Sequence, residues 1–143
     1  YISEERGQEG STSDIKRTLW DIGGGYVGSQ GWAVGLLYGT EKINSGSSFD
    51  RTSFGPSVGW VTKKNEGLYV MGTYFINPTM SGGFKGKGYQ IDLGYKFMIR
   101  NISFAPQISK KHFAYDDQDG HAINPAFIDD RIDPYFVVWV DID

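Results

Sequence analysis

Large apolar side chains alternate with small or polar ones along much of this chain, and the small partner is usually Gly, Ser, Ala or Gln. The clearest run is Tyr89-Gln90-Ile91-Asp92-Leu93-Gly94-Tyr95-Lys96-Phe97, in which each odd position is large and apolar. A strand sends successive side chains to opposite faces, so such a run has one apolar face and one polar face. The same split separates Trp32, Val34, Leu36 and Tyr38 from Ala33, Gly35, Leu37 and Gly39. It returns at Phe54, Pro56, Val58 and Trp60, and at Ile102, Phe104, Pro106 and Ile108. No stretch carries a helical period. The chain therefore reads as all-β, with strands expected over residues 15–28, 32–41, 52–63, 67–77, 86–100, 102–115 and 134–142.

Alternation alone does not say which face points inward. A soluble barrel buries its apolar face, whereas a membrane barrel turns it outward to lipid. Here the polar face is dominated by small residues, which suit the narrow inside of a barrel of about eight strands. Glycine supports that geometry. It numbers 20 of 143 residues, about twice average usage, and it weakens strands unless curvature or close approach requires it. Aromatic residues recur near strand ends, at Trp20 and Tyr26, Trp32 and Tyr38, Phe54 and Trp60, and Tyr89 and Tyr95. Such placement matches the aromatic girdles of membrane barrels.

Composition excludes several classes. There is no Cys, hence no disulfide scaffold and no thiolate metal site. The net charge of −3 argues against a nucleic-acid footprint. The longest apolar run, Tyr135 to Val140, is far below the ~18 residues of a membrane helix. A spanning strand needs only ~9–11 residues, half of them apolar, so a barrel is compatible with this profile.

Residues 1–14 read as a polar N-terminal arm and residues 15–143 as one barrel domain. The connections alternate in length: those near residues 29–31, 63–67 and 100–101 are short, and 41–51, 77–86 and 116–133 are expected as long loops. Short turns at one end and long loops at the other follow the plan of bacterial outer-membrane barrels. Seven strands are plain, and residues 1–10 or 121–128 could supply an eighth.

The alternating segments over residues 15–142 resemble the small eight-stranded outer-membrane barrels of the OmpA/OmpX type. That resemblance is architectural. It implies an antiparallel up-and-down transmembrane β-barrel in the bacterial outer membrane. The implied role is structural or surface-interacting, without an open pore. Membrane lipids are the implied partners, with lipopolysaccharide a candidate among them and the three long loops available to a surface partner. Such barrels usually end on an aromatic residue, and the final Val140-Asp141-Ile142-Asp143 departs from that. On this reading Trp20, Tyr26, Trp32, Tyr38, Trp60, Tyr89, Ile91, Leu93, Tyr95 and Phe97 face lipid. Arg17, Asp21, Asp92, Lys96 and Asp141 form a charge network in the lumen, because charges in a narrow lumen must pair.

Two alternatives carry different expectations. A soluble lipocalin-like barrel would enclose an apolar ligand. A lipid A-modifying barrel enzyme would need a catalytic His; the deacylase type pairs it with Ser two residues on. Here Ala114 follows His112 at that spacing and Ile123 follows His121, so no catalytic residue is assigned. The run Asp116-Asp117-Gln118-Asp119-Gly120 matches part of a calcium loop. The first and twelfth ligand positions would fall on Tyr115 and Ala126, so neither a metal nor a cofactor is expected.

Overall fold

The computed structural model describes residues 2–6, 15–45, 47–62, 66–100 and 102–140. Seven long antiparallel strands form one up-and-down sheet that curls into a half-barrel. They are β2 (Ile15–Val27), β3 (Trp32–Ser45), β4 (Ser47–Val61), β5 (Gly67–Met80), β6 (Phe84–Ile99), β7 (Ile102–Gln118) and β8 (His121–Val140). A short strand, β1 (Ile2–Arg6), pairs antiparallel with β2 from Ile2↔Leu19 to Arg6↔Ile15. The remaining residues of the 1–14 arm lie outside the described residues, as does Asp141. Every strand neighbours its successor in sequence, as short hairpin connections dictate.

The strands run further than the sequence suggests at one end of the sheet. The segments 41–51, 77–86 and 116–133, expected as loops, are largely strand. In the structure β3 and β4 pair up to Ser45↔Ser47, β5 and β6 pair up to Met80↔Phe84, and β7 and β8 pair up to Gln118↔His121. Residues 121–128 begin β8; they do not form a separate strand. The physical reason is that polar side chains occupy both faces here: Glu41, Arg51 and Asp133 are buried on the inner one, and Lys42, Asp50 and Asp130 are exposed on the outer one. Polar residues and Gly, read as loop signals, can then sit within strands. The β7–β8 turn itself is formed by Asp119 (φ 53°) and Gly120 (φ 82°), two left-handed residues that match the twist of a hairpin. The backbone N–H of Gly120 donates to Asp117 Oδ1 over 3.0 Å. The Asp-Gly run considered for calcium is thus a turn closure, and no group of three potential metal ligands occurs among the described residues.

Curvature explains part of the glycine content. A Cβ on Gly35 would lie 2.6 Å from the Gly24 carbonyl oxygen and 3.1 Å from Gly25 Cα, so β2 and β3 approach closely only without it. A Cβ on Gly39 would lie 2.7 Å from Asp21 Oδ1 and 2.9 Å from Ser53 Oγ. That glycine leaves room for an interior carboxylate.

Candidate functional site

The distribution of side chains across the wall is inverted relative to a soluble protein. Exposed large hydrophobics cover the outer face of every long strand, including Ile22, Leu36, Val58, Val70, Leu93, Ile108 and Val138. The concave face buries Glu41, Arg51, Gln90, Asp92, Lys96, Lys111 and Asp133 instead.

Cross-strand register aligns aromatic rings at both margins of the apolar band. Towards the short-turn end Trp32 is the Cα partner of Trp60, and Tyr26 packs on Trp32 with ring centroids 5.7 Å apart. Around the same end Phe97 pairs with Phe104, which packs on Phe136 at 5.8 Å. Towards the extended-hairpin end Trp20 meets Tyr38 at 6.1 Å. Tyr38 pairs with Phe54, and Tyr74 pairs with Tyr89. Within single strands the two margins stand six residues apart, at Trp32 and Tyr38 or Phe54 and Trp60, about 20 Å along the strand. Of the ten residues expected to face lipid, Trp20, Tyr26, Trp32, Tyr38, Trp60, Tyr89, Ile91, Leu93 and Phe97 are exposed. Tyr95 is half-buried against Phe97, with ring centroids 4.7 Å apart.

The interior is stratified. Near the short-turn end an apolar cluster of Ala33, Val61, Tyr69 and Ala105 packs with Val27, Met71, Val137 and Trp139. Above it the Tyr69 hydroxyl donates to Gln107 Oε1 over 2.6 Å, and Gln107 Nε2 donates to Ser109 Oγ over 2.7 Å. Lys96 is buried at this level with its ammonium 5.4 Å from the centre of the Trp139 ring. At mid-height Gln90 Nε2 donates to Asp92 over 2.8 Å and reaches Asp21 at 3.5 Å. Asp21 in turn accepts from Lys111 Nζ over 3.0 Å. The Lys111 ammonium lies 4.9 Å from the Tyr135 ring, a cation–π geometry.

Higher still, three guanidiniums converge on one carboxylate. Glu41 accepts from Arg17 Nε over 2.6 Å, from Arg51 Nη1 over 3.2 Å and from both terminal nitrogens of Arg131. Arg17 also forks onto Asp133 over 3.0 and 3.1 Å, and Arg51 bonds Asp129. These contacts join β2, β3, β4 and β8, so the network ties one side of the curled sheet to the other. Arg51 stacks 4.4 Å over Phe113. Phe113 belongs to a second apolar cluster with Phe75 and Tyr115. The space left between Asp21, Glu41, Arg51, Lys111 and Arg131 is about 10 Å³, about the volume that one water needs.

Of the expected lumen residues, Arg17 and Asp21 therefore stand in ion pairs, Asp92 joins Asp21 through Gln90, and Lys96 sits lower beside Trp139. Glu41, Arg51, Lys111, Asp129, Arg131 and Asp133 were not anticipated from sequence. Their parity held the signal. Glu41 lies two residues beyond Gly39, Arg51 two before Ser53, and Asp129, Arg131 and Asp133 share odd numbering with inward Tyr135. Reading 41–51 and 116–133 as loops ended the alternation too early for Asp129, Arg131 and Asp133, whereas Lys111 lies within the expected strand 102–115, on the inward parity of Gln107 and Ser109.

The two histidines lie apart from this network. His112 faces outward on β7, its Nδ1 2.8 Å from Asp130 Oδ1 and its ring stacked on Tyr89 at 5.0 Å. His121 is exposed at the start of β8. Among the described residues no serine is hydrogen-bonded to either. No protein-family model, curated protein or solved structure matches the chain.

Proposed function

We propose that this chain is an integral β-barrel protein of a bacterial outer membrane, with the short β1 as the eighth strand of its wall. Its role is structural or surface-interacting, and it has no open pore. The observation that carries the proposal is the inversion of polarity: an apolar outer band with aromatic margins surrounds an interior of paired charges. In water such an outer face would be an apolar patch far larger than the few hundred Å² that soluble monomers expose. In lipid it is the favourable surface, and the buried charges satisfy one another away from both phases. A soluble barrel that carries an apolar ligand would need an apolar lumen. This interior, charged and filled at mid-height, does not favour that alternative.

Catalysis is the weaker reading, because the outward His112–Asp130 pair is backed by a tyrosine ring and not by a hydroxyl nucleophile. Recognition instead falls to the hairpins that rise above the extended-hairpin end, since exposed segments on a rigid frame carry binding. Planar-bilayer recording tests the pore-free part. The refolded chain is expected to insert without stable single-channel currents, because side chains fill the interior. Steady currents of porin size would exclude the proposal.

A further inference from the structure

Lys110 is exposed on the outer face of β7, where its register neighbours are apolar. Its Cα partner on β6 is Ile91, its partner on β8 is Ile132, and Ile108 precedes it on the same face of its own strand. Other polar groups nearby have partners: Lys111 bonds Asp21, the His112 ring pairs with Asp130, and Lys87 lies 4.0 Å from Asp116. Among the described residues no carboxylate lies within ion-pair distance of Lys110. The lysine sits one pleat, about 7 Å, below the Tyr89–His112 stack that marks the band's upper margin.

An unpaired ammonium among isoleucines on a lipid-facing wall is costly. Its flexible stem can carry the charge up to the headgroup level, where an anion can satisfy it. Lys87 projects from the neighbouring strand on the same outward face, two residues from Tyr89, and its 71% exposed side chain, 4.0 Å from Asp116, is free to turn to a second anion. The extended hairpins mark this as the end that faces outward from the cell in barrels of this plan. We infer that Lys110, supported by Lys87 and the Tyr89–His112 stack, holds a phosphate of lipid A in the outer leaflet. This inference rests on the membrane reading above.

The test reconstitutes the refolded chain in phosphatidylcholine nanodiscs doped with bis-phosphorylated lipid A, with dephosphorylated lipid A, or with phosphatidylglycerol. Native mass spectrometry then reads the lipid retained on the barrel. Bis-phosphorylated lipid A is expected to be retained above the other two. Lys110→Met is expected to lower that retention about fivefold, and Lys42→Met, on the outer face of β3, to leave it unchanged. Equal retention of all three lipids, or undiminished retention by the Lys110→Met variant, would overturn the inference. Equal retention of phosphatidylglycerol would assign the site to phospholipid and overturn the commitment to lipid A. Failure of the unsubstituted chain to enter nanodiscs would instead strike the membrane reading, and this inference with it. Entry is scored separately, by resistance to protease.

Discussion

Glu41→Gln is expected to destabilise the fold by about 3–5 kcal/mol, the largest effect of any single polar substitution in the interior. Glu41 is 4% exposed and accepts from Arg17, Arg51 and Arg131 together. An amide keeps the shape but removes the charge that offsets three guanidiniums out of water. Asp129 and Asp133 compensate only part of the excess, since each already serves an arginine. Breaking a buried pair on one side is costly because the remaining charge cannot regain its hydration. Removing one guanidinium as well, in Glu41→Gln/Arg131→Met, is expected to recover part of the loss, since the charge excess falls. The exposed Lys87–Asp116 contact provides the contrast: its side chains are 71% and 51% exposed and 4.0 Å apart. Asp116→Asn is expected to change stability by less than about 1 kcal/mol. Urea titration of folding into lipid vesicles reads all three variants. A Glu41→Gln variant as stable as the unsubstituted chain would mean the network carries no such charge balance.

Leu93→Arg is expected to cost about 2–4 kcal/mol when folding is measured in vesicles. Leu93 is exposed on the outer face of β6, between its Cα partners Val70 on β5 and Ile108 on β7. The position lies between the aromatic margins, near the middle of the band. In water, an exposed leucine on a strand tolerates arginine within about half a kcal/mol. In hydrocarbon the guanidinium must be carried to the interface or drag water inward. The same substitution at Ile99, beside the short turn at Arg100, should cost less, because the penalty falls towards the interfaces. Equal and negligible costs at Leu93 and Ile99 would contradict a lipid-facing band.

Much of the wall was legible in the sequence because period-two alternation depends only on the pleat. Along Tyr89 to Phe97 the alternation places Ile91 and Leu93 outward, where they are exposed, and Gln90, Asp92 and Lys96 inward, where they are buried; Tyr95 departs from it by being half-buried. The upper half of the interior was not legible, for a local reason. Where the strands rise past Tyr38 and Tyr89, charged residues such as Glu41 and Arg51 share the inner face with Phe75, Phe113 and Tyr115, so alternation of hydrophobicity fades although the backbone stays extended. Arg51 and Asp129 carry no hydrophobic signal and become interior residues only through their strand partners. Pairing across 90 residues, as between Glu41 and Arg131, is set by the curl of the whole sheet. No window of sequence contains it. The aromatic margins fall between these cases: their six-residue spacing is visible within each strand, but their alignment into rings needs the register.

The orientation of the wall is tested most directly by where its outer side chains sit in a bilayer. The chain has no cysteine, so single cysteines at Leu93 and Lys87 can each take a nitroxide label without further substitution. In vesicles, collision rates with oxygen, which concentrates in hydrocarbon, are compared with those of a water-soluble nickel chelate. The label at position 93 is expected to meet oxygen freely and exclude nickel, and the label at position 87 to show the reverse. A label at position 93 that collides with nickel as readily as the one at 87, or that is shielded from both reagents, would contradict a wall facing lipid.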